Sequence, residues 1–131
     1  MEIPVELSKI IINEEVDQQV VVLKELEGER SFPIVIGISE ILAVDRRIKG
    51  ITLPRPMTHD LLEGVIKSMG GDIEKLVITD IENHTFYASL IINLDEDTID
   101  IDSRPSDALA LVAGLDVPIF VDENVFLKLK L

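Results

Sequence analysis

Two stretches of the chain place Arg-Pro immediately ahead of apolar residues in helical period, and they constrain the fold more than any other feature. The first reads Leu-Pro-Arg-Pro-Met-Thr-His-Asp-Leu-Leu over residues 53–62, and the second Ser-Arg-Pro-Ser-Asp over residues 103–107. Each carries an Asp in what would be the first helical turn, where the helix dipole favours a carboxylate. In the first copy Thr58 is the expected N-cap. Leu62, Val65, Ile66 and Met69 follow at i, i+3, i+4 and i+7 as one buried stripe, stopped by Gly70-Gly71. In the second copy Pro105 suits the first helical position, and Ala108, Leu111, Val112 and Leu115 make the apolar face, bracketed by Gly114 and Pro118. Two helix starts of one design point to one site.

The rest of the chain supplies strands. Runs at Ile3–Ile12, Val20–Leu23 and Phe32–Ile36 are separated by short polar breaks and read as an antiparallel meander, with Pro33 marking an edge because proline cannot donate to a ladder. A helix from Ser39, as its cap, to Lys49 has Ile41, Leu42, Val44 and Ile48 as inner positions. Two long strands, Ile73–Ile81 and Thr85–Ile92, flank Glu82-Asn-His84 as a hairpin whose Asn can take a positive φ. Thr98–Ser103 alternates strictly, with Ile99 and Ile101 inward and Asp100 and Asp102 outward, and feeds the second Arg-Pro helix. Pro118–Val121 is a short strand, and Asn124–Leu131 a frayed or packed tail. Strands interleaved irregularly with about three helices predict a single α+β domain over residues 1–131 with a mixed, largely antiparallel sheet.

Charge limits the partners. The net charge is −13, which opposes nonspecific attraction to nucleic acid, and the chain has no cysteine for a disulfide, a thiolate metal site or a nucleophile. Acid is unevenly spread: residues 1–70 carry a net −4 and residues 71–131 a net −9. Arg46, Arg47, Lys49, Arg55 and Lys67 form the one locally basic patch, beside the first Arg-Pro stretch, and on charge alone the expected explanation is a solvated helix face. No secretory leader and no membrane-length apolar run is legible, so a cytoplasmic protein without membrane contact is the expectation.

No phosphate-binding Gly-rich loop, dinucleotide fingerprint, nucleophile elbow or metalloprotease helix is present. The groups able to exchange protons near neutral pH are His59 and His84. His84 falls in the hairpin turn. His59 lies in the first turn of a helix, where it is available as general base or ligand, or as a contact locking loop to helix. If the Thr98–Ser103 strand runs beside the first helix start, Asp100 or Asp102, together with Asp60, Asp107 and His59, can form an oxygen-rich site for Mg²⁺ or Mn²⁺, with Asp60, Asp102 and Asp107 as the metal-ligand candidates. Arg55 and Arg104 would then hold phosphate oxygens, with Thr58 and Ser106 beside them. The competing expectation is structural: carboxylates on a solvated strand, and arginines in salt bridges to Asp60 or Asp107.

With these residues in view the chain resembles the bifunctional nuclease domain family. The matching segments are Phe-Pro-Ile-Val-Ile-Gly (32–37), Pro-Arg-Pro-Met-Thr-His-Asp-Leu-Leu (54–62), Val-Ile-Thr-Asp-Ile (77–81), Thr-Phe-Tyr-Ala (85–88), Ile-Asp-Ser-Arg-Pro-Ser-Asp-Ala (101–108) and Pro-Ile-Phe-Val (118–121). They occur in the family's order over nearly the whole chain. The resemblance implies a compact α+β domain that forms homo-oligomers, a dimer first and a trimer as alternative. It also implies a nuclease activity on DNA and RNA, attributed chiefly to plant members. Its motif positions here are Arg55, Pro56, Thr58, His59, Asp60, Asp102, Arg104, Pro105, Ser106 and Asp107. The alternative function is a non-catalytic oligomeric module in which the Arg-Pro motifs are structural, and a third is a small-anion or nucleotide sensor built on the paired helix starts.

Overall fold

A computed structural model describes residues 1–131. In chain order its elements are β1 (Glu2–Ile11), β2 (Gln18–Glu25), β3 (Ser31–Gly37), α1 (Ile38–Ile48), α2 (Thr58–Ser68), β4 (Gly71–Glu82), β5 (Thr85–Leu94), β6 (Asp97–Ser103), α3 (Pro105–Val112), β7 (Ile119–Asp122) and α4 (Glu123–Lys128). The seven strands form one sheet in the order β3-β2-β1-β7-β4-β5-β6, antiparallel throughout except for the parallel β4–β7 pair. The α+β expectation holds, with α4 as a fourth helix. β3 is an edge strand, as Pro33 requires.

The sheet is strongly curled. Phe32 on β3 and Phe86 on β5 stack at 5.4 Å between centroids, although the strand order separates them by five steps. At about 4.8 Å per step a flat sheet would hold them roughly 24 Å apart. Phe126 of α4 meets Phe32 edge-on at 5.5 Å, so the tail is packed, not frayed. The Asp122 carboxylate accepts from the Asn124 amide at 2.9 Å as the cap of α4, whose Val125 and Phe126 are buried.

α3 occupies the concave interior. It links β6 to β7 as the connection that makes β7 parallel to β4, and seven of its eight residues are buried, leaving only Asp107 partly open. A helix apolar nearly all round belongs in a core, and Ala108 and Ala110 keep it thin enough to fit. It shares one hydrophobic core with Leu23, Ile41, Val44, Leu76, Ile78, Leu90 and Val121.

Four local expectations are corrected. Gly37, not Ser39, precedes α1, and no side chain caps that helix. Of α1's expected inner positions Ile41 and Val44 are buried while Leu42 and Ile48 are exposed. Met57, not Thr58, is the N-cap residue of α2. The Asp60 carboxylate satisfies the Met57 amide at 3.0 Å, so the third helical residue reaches back where the threonine was expected to reach forward. α2 also buries no residue: Leu62, Val65 and Met69 are exposed and Ile66 only partly covered. Its apolar stripe borders an open cleft beside β6 and is not sealed against the sheet. Ile99 and Ile101 pair with the buried Ile92 and Leu90, on the expected face, yet remain partly open because β6 is an edge. In the β4–β5 hairpin both Asn83 and His84 adopt positive φ, 50° and 67°, the two left-handed residues a tight two-residue turn requires.

Candidate functional site

The two Arg-Pro helix starts meet. α2 begins with Thr58-His-Asp60 and α3 with Pro105-Ser-Asp107, and His59 Nε2 lies 3.1 Å from Asp107 Oδ1 across 48 residues of sequence. A carboxylate only accepts, so Nε2 is the donor in this bond, and in a neutral ring Nδ1 is then the nitrogen that carries the lone pair. Arg104 extends the chain of contacts: its Nε donates to Asp107 Oδ2 at 2.9 Å and its Nη2 to Glu40 Oε1 of α1 at 3.1 Å. His59 is mostly enclosed, with 13% of its side chain exposed, whereas the Arg104 side chain is 67% exposed. The result is a fixed imidazole–carboxylate pair with a solvent-facing guanidinium beside it.

This pair stands at the mouth of a cleft of about 580 Å³ between α2, α3 and the β5–β6 edge. Leu62, Ile66, Ile92 and Ile101 give it apolar walls; Thr58, His59, Asp102, Ser103, Arg104 and Asp107 give it a polar rim. Of the residues singled out from sequence, Thr58, His59, Asp102, Arg104 and Asp107 therefore share one opening. Ser106 opens onto a different cleft on the far side of Arg104. Arg55 borders neither cleft and is exposed.

Asp60 is not part of this opening. Its Oδ1 takes Arg47 Nη1 at 2.5 Å, its Oδ2 takes Arg46 Nη2 at 2.9 Å, and it also caps Met57. Arg47 further donates to Glu63 Oε1 at 2.6 Å and to the Leu111 carbonyl of α3 at 2.8 Å. The expected metal set of Asp60, Asp102 and Asp107 does not form. Both Asp60 oxygens are consumed by guanidinium groups, and nowhere in the chain do three or more His, Asp or Glu side chains converge in a way that could hold a metal ion. The sequence reading also missed Arg47 and Glu40 as the residues that brace the two helix starts. Their signal was a cation in the last turn of α1 and an acid in its first.

Burial works to raise the Asp60 carboxyl, but the Met57 amide and the Arg47 and Arg46 guanidiniums outweigh it and hold its pKa below the ordinary 3.8. For Glu63 burial is likewise outweighed, by Arg47 and Lys67, and its pKa lies below 4.5. A carboxyl with a depressed folded-state pKa stabilises the fold fully above its unfolded value. That contribution is lost as pH falls through the folded value, because the unfolded chain takes up the proton first. The urea midpoint is therefore expected to stay level from pH 7 to about 5 and to drop steadily below about 4. A midpoint unchanged down to about pH 3 would show that this cluster does not brace the helix starts.

The family model described as the bifunctional nuclease domain matches residues 21–131. The chain belongs to that family. "Uncharacterized protein Rv1829" and "Uncharacterized protein MT1877" of Mycobacterium tuberculosis are each 39% identical over 109 residues, covering 83% of this chain and 65% of theirs. "Bifunctional nuclease 1" of Oryza sativa subsp. indica is 27% identical over 109 residues, covering 80% of this chain and 33% of its own. The chain thus spans slightly under two thirds of the mycobacterial relatives and a third of the rice one. The family's matched region contains both Arg-Pro motifs and the His59–Asp107 pair. No helix of the structure is long and apolar enough to cross a membrane.

Proposed function

We propose that the chain is a nuclease hydrolysing phosphodiester bonds of single-stranded DNA and RNA, with His59 and Asp107 as its acid–base centre. The observation that carries this reading is the His59–Asp107 hydrogen bond at the mouth of the cleft, supported by membership of a family whose plant relatives are named as nucleases. Asp107 fixes the ring and stabilises the imidazolium that forms when Nδ1 takes a proton from attacking water; as the water oxygen bonds to phosphorus, the P–O bond to the leaving sugar oxygen breaks and solvent water protonates that oxygen. Arg104, exposed and adjacent, binds a phosphate oxygen and offsets charge in the transition state. Asp102 and Thr58 hold water or sugar hydroxyls at the rim. Arg55, exposed and without a side-chain partner, is placed to meet the strand outside the cleft. With a net charge of −13 the attraction must come from these few groups, so binding is weak and local.

A second reading is favoured by a specific observation. The exposed apolar face of α2, with Leu61, Leu62, Val65 and Met69, and the ion pairs that already engage Arg104 Nε and Nη2 with Asp107 and Glu40 are what a non-catalytic homo-oligomeric module would show. Highly purified protein with labelled single-stranded DNA and RNA separates the two. Cleavage that persists in EDTA is expected, because the acid–base groups belong to the chain. Cleavage that appears only with Mg²⁺ or Mn²⁺ would transfer the activation of water to a metal and overturn the acid–base mechanism. No cleavage under any condition would leave the oligomeric module.

A further inference from the structure

β6 ends the sheet on one side, paired to β5 alone, and all of its residues except Ser103 are exposed. Every second residue of such an edge turns its N–H and C=O away from the sheet, a row of groups ready to pair with another extended chain. The two faces of β6 differ in chemistry. Ile99 and Ile101 stand on the concave side, 36% and 42% exposed. Ile101 lines the cleft of about 580 Å³, whose apolar walls continue through Leu62, Ile66 and Ile92. Asp100 and Asp102 stand on the opposite side. With Asp95, Glu96 and Asp97 they make five acids and no base among residues 95–102. None of the five is ion-paired within the chain. Arg104, close by in sequence, is held by Glu40 and Asp107 instead.

We propose that β6 is a docking edge for an extended segment of another protein in which basic and apolar side chains alternate. Such a segment adds a strand to the sheet and is held by main-chain bonds to β6. Its apolar side chains enter the cleft beside Ile101 and Leu62, and its Lys or Arg side chains lie opposite Asp100 and Asp102. Charge selects this occupant over the others. A second copy of the chain would bring β6 against β6 and set carboxylates against carboxylates, which is destabilising. A nucleic acid strand would bring its phosphates to five unpaired acids. Acids on an edge also guard it against aggregation, but a guarded edge needs no open apolar cleft beside it. The docking edge does not depend on the His59–Asp107 reaction and stands if that reaction fails.

The test is titration of the full chain, without nucleic acid, with end-capped peptides of 7 residues, the length of β6, that alternate Lys with Val, Lys with Ser, or Glu with Val. Calorimetry gives the affinity, and backbone amide shifts give the place. The Lys-Val peptide is expected to bind at or below about 1 mM and to shift the amides of residues 98–102. The Lys-Ser peptide is expected to be at least about tenfold weaker, for want of apolar anchors, and the Glu-Val peptide not to bind. Asp100→Lys, at an exposed position, is expected to weaken the Lys-Val peptide about fivefold at low salt, and Asp100→Asn to weaken it less. A Lys-Val peptide that fails to bind, binds no better than either control, leaves the β6 amides unmoved, or ignores Asp100→Lys would overturn the assignment. So would a dimer, seen by sedimentation, that protects the β6 amides and excludes the peptide, because the edge would then belong to a second copy.

Discussion

Gly114→Ala is expected to lower the melting temperature by about 10–20 °C, a loss of roughly 3–5 kcal/mol. Gly114 follows α3 with φ of 78°, a conformation that costs a residue with a Cβ about 1–2 kcal/mol. The added carbon would also land on the Arg47 carbonyl oxygen and lie 2.9 Å from the Arg47 carbonyl carbon. This is backbone against backbone, so no side chain can rotate away, and the end of α1 must separate from the end of α3. That movement pulls Arg47 from Asp60, Glu63 and the Leu111 carbonyl together, which is why the effect exceeds that of an ordinary surface glycine. Gly64 provides the contrast. It lies mid-helix in α2 with open space where a Cβ would go, so Gly64→Ala is expected to stabilise by up to about 1 kcal/mol. Thermal unfolding of the two variants checks both signs; a Gly114→Ala protein melting like the parent would mean that α1 and α3 are not in this close register.

These effects also mark how far the sequence could be read. Alternation in the β5 and β6 runs and the Arg-Pro starts of α2 and α3 carry their structure locally, so the α+β class and the pairing of the two motifs were legible. The pairing followed from one design appearing twice, and His59–Asp107 is its physical form. The burial of α2 was not legible, because a 3.6-residue period shows that a helix has an apolar face but not what covers it. Nor was the fate of Asp60. A first-turn carboxylate beside His59 reads as a ligand, and only the close approach of α1 to α3 at Gly114 brings Arg47 and Arg46 onto it. Arg47 itself looked like part of a solvated basic patch, yet 8% of its side chain is exposed. Long-range packing, here through a glycine with no side chain to signal it, decided which acid was free.

The second large effect concerns chemistry. His59→Ala is expected to reduce cleavage by about 10²- to 10⁴-fold, the range a positioned general base supplies. Asp107→Asn is expected to fall in the same range, because an amide can donate to Nε2 and turn the imidazole to the wrong tautomer. Two residues working as one unit are not additive, so the double variant is expected to be no slower than His59→Ala alone. Stability is expected to fall by only about 1 kcal/mol in His59→Ala, since one hydrogen bond to Asp107 is lost and the ring is not in the core. The decisive measurement is single-turnover cleavage of a labelled single strand in EDTA by the parent, His59→Ala, Asp107→Asn and the double variant, each confirmed folded by circular dichroism. A large loss in both single variants with no further loss in the double is the expected result. Cleavage by His59→Ala at the parent rate would contradict it, and would place any activity outside the paired helix starts.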